Sequence, residues 1–339
     1  MKGRLLQILV VILALGFFIL YEILWAPNNF EGDRFIIVSK GETFQSVMDS
    51  LQNAGVIRNR TLFSVAGRML ELTTKMQINK YRFRSGMSNK EILEDLRYGK
   101  TIEAITVTLP EGLRAVRQAR VLAHQLGIDS TRFLKFVTDS TFCRSMGVDA
   151  PTLEGYLMPN TYKLYWQMDE EEIVKQLVGE FWKFFNDSLQ VVAQSQGQSL
   201  NEILTIASIV EGETSIDSER AMVAGVYYNR LEKRMPLQAD PTVQYILDDG
   251  PRRLHYSDLQ RESAYNTYIH KGLPPGPISN PGRESILAAL SPKKHKYLFF
   301  VATGQGGHHF AKTFPEHLRA IHRYRKMREE QQAIKESQG

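Results

Sequence analysis

The rhythm of apolar and polar positions changes several times along the chain, and each change predicts an element. Leu5 to Trp25 reads LLQILVVILALGFFILYEILW, where only Gln7 and Glu22 are strongly polar. As a helix this run would be about 31 Å long, enough to cross a bilayer core. Tyr21 and Trp25 suit the aromatic belt at one interface. A cleaved signal peptide is the alternative, but it calls for a shorter apolar core and small residues before the cut. Ile23-Leu24-Trp25-Ala26-Pro27 offers no such pattern. The expectation is an uncleaved transmembrane helix over residues 5–25 behind a cytoplasmic tail of residues 1–4. Lys2 and Arg4 precede the span, whereas Glu31 and Asp33 with Arg34 follow it. The positive-inside rule then leaves the N-terminus in the cytoplasm and everything after Asn28 outside.

Beyond the span, the periods alternate between those of strands and helices. Phe35 to Val38 is a short apolar run ending at Lys40-Gly41, a strand and a turn. Thr43 can cap a helix whose Phe44, Val47, Met48 and Leu51 recur at i, i+3, i+4 and i+7. A second helix is expected from Thr61 to Leu72 and a returning strand at Tyr81-Arg82-Phe83. Ser88 and Glu91 then form a capping box. Strand, glycine turn and helix here resemble a LysM module, a small fold that binds N-acetylglucosamine-containing glycans. That module is placed at residues 34–100, with a generic small α/β unit as the alternative. Ile105 to Leu109 alternates as a strand, Pro110-Glu111-Gly112 turns, and a helix from Leu113 to Leu126 follows. Residues 129 to 200 read as mainly helical, interrupted by the turn-rich stretch from Leu153 to Tyr162.

Leu204 to Val210 is apolar or small on nearly every face, so this helix is expected to be buried. It runs into Glu211 and Gly212, the latter read as a terminator. Burial disfavours a charged carboxylate, and the negative end of the helix dipole pushes the same way. A carboxyl kept neutral near pH 7 suits general-acid cleavage of a glycosidic bond. The plain alternative is that Glu211 marks a helix end and faces solvent.

Composition narrows the classes. The 339 residues, 43% of them hydrophobic and 23% charged, suit an anchor plus two folded units. The net charge of +5 is concentrated late, in Lys293, Lys294, Lys296 and Arg319 to Arg328, and reads as a solvated basic helix. It carries no recognised nucleic-acid motif, so nucleic acid is not an expected partner. Cys143 is the one cysteine, which excludes an intrachain disulfide and a cysteine metal cluster. His308 and His309 are adjacent and His317 and His322 are five apart, neither a metal-ligand spacing. The expectation is catalysis with no cofactor and no metal.

Asn201-Glu-Ile-Leu-Thr-Ile-Ala-Ser-Ile-Val-Glu-Gly-Glu-Thr214, with Ser218-Glu-Arg220 and Val226-Tyr-Tyr-Asn-Arg-Leu231, resembles the endolytic murein transglycosylases, the MltG-like or YceG-like family. The resemblance continues through Leu237 to Val243, Ser263 to Tyr268, Gly272 to Ile278 with Asn280-Pro-Gly282, Tyr297 to Val301 and Gly307-His308. One departure is Gly212, where relatives often carry a lysine. The resemblance implies that Glu211 is the catalytic acid. It also implies cleavage of the MurNAc-(β1,4)-GlcNAc bond of peptidoglycan strands with 1,6-anhydro-MurNAc ends, and nascent-strand trimming beside peptidoglycan synthases in the cell (inner) membrane.

That chemistry is self-consistent. A hydrolase needs a second carboxylate for water or covalent attack, whereas a transglycosylase can use the C6 hydroxyl of the sugar itself. Glu213 and Asp240 are candidate helpers. Glu213 would face away if the helix continued, and Asp240 before Pro241 also reads as a cap or turn former. In the family the proline-rich loop over Pro274 to Pro281 borders the substrate groove. Gln238, Asn266, Tyr265 and Tyr268 could supply amides and flat faces for sugars, or core packing for the tyrosines. The overall expectation is an α+β protein: the membrane helix, the LysM-like module, a catalytic domain at residues 101–326 and a frayed polar tail at 327–339. The alternatives are a membrane-tethered glycan-binding scaffold and a glycoside hydrolase using water through Glu211 and Asp240.

Overall fold

The computed structural model describes residues 2–74, 76–247 and 250–338. It is an α+β protein that divides into two compact units, each considered by itself. The first comprises Met1–Val107, Leu122–Ile128 and Tyr162–Asp169; the second comprises Thr108–Val121, Asp129–Thr161 and Glu170–Gly339.

In the first unit α1 (Lys2–Leu24) is followed by β1 (Arg34–Val38), α2 (Phe44–Asn53), α3 (Arg60–Met69), β2 (Asn79–Phe83) and α4 (Asn89–Tyr98). Within Gly3–Leu24 the mean hydropathy reaches 2.5 over 18 residues, so α1 is long and apolar enough to cross a membrane. β1 and β2 pair antiparallel, with Ile36 opposite Tyr81 and Val38 opposite Asn79. Alternation decides which face is covered: Ile36 and Val38 are buried, while Phe35 and Ile37 face out. Tyr81 and Phe83 stack at 5.8 Å and meet Val47, Met48 and Leu51 of α2 in one core with Phe63, Ile92 and Leu93. The expected caps form: Thr43 Oγ1 accepts from Ser46 N, and Ser88 and Glu91 make a reciprocal capping box. α3 ends at Met69, three residues short of the expected Leu72. Glu71 takes a positive φ of 55°, and Leu72 N–H turns back to Gly67 O at 3.0 Å.

The last turn of α1 belongs to this core. Leu24 is buried among its residues, and Asn28 and Asn89 close the joint. Asn28 Nδ2 donates to Met87 O and Asn89 Oδ1, its Oδ1 accepts from Arg58 N, and Asn89 Nδ2 donates to Ile23 O.

β3 (Ile105–Leu109) and β4 (Asn160–Leu164) form a second two-stranded sheet, and α5 (Ala115–Leu126) follows β3. β4 lies where the sequence pattern predicts only turns and helices. Its NTYKL alternates over only five residues, and its pairing partner is some fifty residues away. The second unit continues with α6 (Ser130–Thr138), α7 (Ser140–Ser145), α8 (Glu170–Phe184), α9 (Asp187–Ser195), α10 (Leu200–Glu213), α11 (Asp217–Glu232) and α12 (Asp240–Tyr245). After these come α13 (Arg283–Leu290), the hairpin β5 (Phe299–Ala302) and β6 (His308–Ala311), and α14 (Phe314–Gln338). α10 is central: Ile203 to Val210 are all buried, and the helix packs on α11, α12 and α13. Each large apolar side chain removed from water there is worth roughly 1.5–3 kcal/mol. The polar end expected to fray is helical to Gln338. Its Glu, Gln, Lys and Ala residues are strong helix formers that need no buried face.

Removing the Asn28 amide leaves the Arg58 N–H and the Asn89 carbonyl oxygen without their partner. Asn28→Ala should therefore destabilise the first unit by roughly 1–3 kcal/mol. Hydrogen exchange on the full-length protein in detergent should show faster opening over residues 83–96. Unchanged protection there would show that the joint does not depend on this amide.

Candidate active site

The site is built where α10 ends. A capping box of Ser199 and Glu202 starts that helix, and its apolar middle buries it. Glu211 lies in the last turn with a side chain only 9% exposed. Gly212 does not terminate the helix, contrary to the sequence expectation. α10 runs on to Glu213, and Thr214 beyond it is extended. Gly212 serves packing instead, since a Cβ there would lie 2.7 Å from the Pro241 ring.

Burial and the dipole are not the only influences on Glu211, as the sequence reading supposed. Arg220, one turn into α11 and 5% exposed, places Nη1 3.2 Å from Glu211 Oε1. Gly282 N–H donates to Glu211 Oε2 at 2.9 Å from the start of α13. Arg220 is itself held by Asp217 Oδ1 at 2.9 Å and Ser285 Oγ at 2.6 Å. Its charge therefore keeps partners whether or not Glu211 is ionised. Both donors stabilise the anion that a proton-donating Glu211 would become. Sequence reasoning included Arg220 and Gly282 within motifs without giving either a role. An arginine at the first turn of the helix after the acid was the available signal.

The turn between β3 and α5 completes this side. Gly112, at φ 74°, would bring a Cβ to 3.4 Å from Glu211 Cγ. Glu111 beside it is exposed, yet its carboxyl reaches Gly282, where a Cβ would lie 2.0 Å from Glu111 Cδ. Gly282 has φ −74° and ψ 170°, so space rather than conformation requires glycine there. Partial burial, then the charge of Glu211, raise the Glu111 carboxyl above its ordinary range, while Arg220 opposes them.

Asn280 fixes the approach of the proline-rich loop. It is fully buried, and its main chain exchanges bonds with Gly112 N and Leu113 O. Its Nδ2 donates to Leu113 O and Glu154 Oε1, and its Oδ1 accepts from Gly155 N and Leu157 N. Ser208 Oγ on α10 accepts from Ile278 N at 3.0 Å, which ties the same loop to the helix.

Glu213 does not join Glu211. Two residues on, it points about 200° round the helix into a second cluster. There Tyr227 O–H donates to its Oε1 at 2.6 Å, and burial, helped by the charge of Asp240, pushes its carboxyl up to about 7. Asp240 Oδ1 accepts from Tyr268 O–H at 2.5 Å. Glu213, Asp240 and Tyr268 are thus brought together around the end of α10, with Pro241 against Gly212. Gln238 is exposed at φ 47°, its N–H on Thr267 O. Tyr265 is half-buried with its ring 4.7 Å from that of Tyr245. Asn266 is fully buried, and its amide is committed to Leu259 O, Arg261 O and Tyr268 N. It holds a loop and has no amide group left for a sugar. Among the described residues, no group of three or more His, Cys, Asp or Glu is arranged to hold a metal ion.

With this geometry in view, residues 36–323 match the YceG-like family. The chain belongs to the YceG-like family. Among its relatives, the endolytic murein transglycosylase of Bacillus subtilis (strain 168) is 31% identical over 306 residues, covering 85% of this chain and 84% of that protein. The endolytic murein transglycosylase of Streptococcus pneumoniae (serotype 2) is 27% identical, over 87% of this chain and 59% of that protein. A solved YceG-like protein of Listeria monocytogenes superposes with a TM-score of 0.61 at 31% identity, covering 86% of this chain and 99% of its own.

Glu213 gives the YceG-like domain a pH-dependent stability whose sign follows from the raised carboxyl. Between about 4.5, the ordinary value, and about 7 the folded chain keeps this proton while the unfolded chain has lost it. Stability contributed by the neutral form is complete below 4.5 and falls as pH rises through that window, by about 3 kcal/mol in all. Glu154, also pushed up to about 7 by burial, adds a similar slope. Glu213→Gln should therefore remove about half of the decline between pH 5 and 8 seen in urea unfolding. An undiminished decline would show that Glu213 is already ionised in the fold.

Proposed function

We propose that this chain is an endolytic lytic transglycosylase of peptidoglycan with Glu211 as its acid. The observation that carries the reading is Glu211 itself. It is a buried carboxyl at the end of the central helix, met by Arg220 and Gly282 N–H, in a chain 31% identical to an endolytic murein transglycosylase. Protonated Glu211 donates to the oxygen of the MurNAc-(β1,4)-GlcNAc bond as that bond breaks. The anion left behind is the form that the arginine and the backbone N–H stabilise, so both lower the barrier rather than merely hold the ground state. Glu211 then takes the proton of the C6 hydroxyl as that oxygen closes on C1, which leaves a 1,6-anhydro-MurNAc end. No second carboxylate is needed to activate water, and Glu213, on the other side of α10, is a supporting residue of the fold. Asp240, at the start of α12, and Tyr268 lie beside the end of α10, Gln238 is exposed on the loop before α12, and Tyr265 lies nearer the start of α10 beside Gly276; their polar groups and rings would meet a glycan.

α1 is the anchor in this reading, a single span with a cytoplasmic N-terminus and both units outside. The first unit, with two helices between antiparallel strands, is a LysM-like glycan-directed module over residues 34–100. The catalytic domain occupies residues 101–326. Its place beside peptidoglycan synthases would let it terminate nascent strands.

The test is Glu211→Gln, which keeps the size and the acceptor for Gly282 N–H but removes the transferable proton. Loss of general-acid assistance is typically about 10²- to 10⁴-fold. The variant should stay membrane-bound and bind glycan, yet release almost no 1,6-anhydro ends by mass analysis of digested wall. Undiminished release would remove Glu211 from the chemistry. Reducing MurNAc ends from the wild type would make the enzyme a hydrolase.

A further inference from the structure

Glu111 is a carboxyl near Glu211 that the reaction above does not use. It sits on the turn between β3 and α5, a turn pinned by Gly112 N–H to Asn280 O at 2.9 Å and by Leu113 O to Asn280 N at 3.0 Å. That pinning is what brings Gly112 to 3.4 Å from Glu211 Cγ when a Cβ is placed on it. Gly282 is bracketed by the two acids: its N–H bonds Glu211 Oε2, and its missing Cβ is the space the Glu111 carboxyl fills. Unlike Glu211, Glu111 is an exposed residue, and no hydrogen bond to its carboxyl is found among the described residues. A partly exposed carboxyl, fixed at the backbone and with no hydrogen bond of its own among the described residues, is placed to meet something that arrives.

We propose that Glu111 is a second catalytic carboxylate, facing the sugar whose glycosidic oxygen Glu211 protonates and stabilising the positive charge that develops at its anomeric carbon. This rests on the reading of Glu211 as the acid. The balance is unchanged by it. The C1–O4 electron pair leaves with O4, which takes the proton from Glu211; the C6 oxygen bonds C1 and returns its proton to Glu211. Glu111 makes and breaks no bond. Its charge matters because glycosidic cleavage passes through an oxocarbenium-like state.

The surrounding charges favour this division of labour. The groups facing Glu111 are Glu211 from α10, Arg220 and Asp217 from α11, and Glu284 from α13. Among the nearby carboxylates, Glu211 is the one that most opposes ionisation of Glu111. Burial opposes ionisation of Glu111 first and the charge of Glu211 next; with the proton on Glu211 the second of these is absent, while Arg220 favours the Glu111 anion throughout. In the proposed reaction Glu211 starts as the acid and Glu111 as the anion beside it.

The experiment uses the full-length enzyme in detergent with purified glycan strands, following rates and product ends. Glu111→Gln should lower kcat about 10²-fold with KM within about twofold, the signature of an interaction made in the transition state. Products should keep 1,6-anhydro ends. Removing a negative neighbour should also move the alkaline limb of the rate profile to lower pH, a readout that a purely structural role would leave in place. Gly282→Ala, allowed by its φ and ψ, should displace the Glu111 carboxyl and reproduce the loss. In a Glu111→Ala background the same change should cost nothing further. Wild-type kcat in Glu111→Gln, a loss confined to KM, or an unmoved alkaline limb would each overturn the proposal. If Glu211→Gln is inactive while Glu111→Gln is not, this inference alone falls. If Glu211→Gln keeps its rate, the acid assignment falls first.

Discussion

The site depends on one fully satisfied amide. Asn280 has no exposure, and its backbone and side-chain polar groups are all engaged: two donors and two acceptors on the side chain, one of each on the main chain. Its partners come from the turn before α5 and the turn near residue 155, and it sits two residues before Gly282. Net, each such bond is worth about 1 kcal/mol, but leaving one unmade in a buried setting costs about 1–3 kcal/mol. The arrangement is therefore nearly all-or-none. The turn bearing Glu111, the buried Glu154 and the start of α13 take their positions together. Pro277 adds a steric lock, since Gly155 at φ 91° leaves no room for a Cβ against its ring.

A second constraint comes from helical geometry. α10 delivers Glu211 and Glu213 to opposite environments because two residues are about 200° apart. One carboxyl meets a guanidinium and a backbone N–H; the other meets Tyr227 O–H and the charge of Asp240. The same helix end thus holds one acid with donors arranged for its anion and one acid that burial keeps neutral to about pH 7. Gly212 between them lets Pro241 and the start of α12 close over the helix. A side chain at that position would need a different approach of that segment, because its Cβ would lie 2.7 Å from the proline ring.

Local signals in the sequence were reliable wherever local chemistry decides the structure. Thr43, Ser88 with Glu91, and the alternation of Ile36 and Val38 all act within a few residues, and each formed as expected. The buried character of α10 was legible because its apolar residues cover every face. What escaped was decided by residues far apart in the chain. β4 exists because β3 offers an edge, Gly212 is a packing glycine because of Pro241, and Asn266 is consumed by neighbouring carbonyls. The place of Glu211 near the end of a buried helix was legible from the helix itself. Arg220 and Gly282 could not be given roles until folding brought their elements to it, and Glu111 read as an ordinary turn residue.

The joint between α1 and the first unit bears on how the protein would work at a membrane. The exposed Glu22–Arg58 pair at 3.1 Å contributes little, as partly solvated pairs do. Leu24 and Ala26 are buried instead, and the Ile23 carbonyl, which the end of the helix leaves without an intrahelical donor, is taken by Asn89. A helix whose last turn is part of a core cannot swivel on a flexible linker. In the proposed topology the first unit would therefore be held at the membrane surface, with the Asn28–Asn89 pair fixing its angle to the span. Such a joint would limit what the first unit can reach to material near the bilayer.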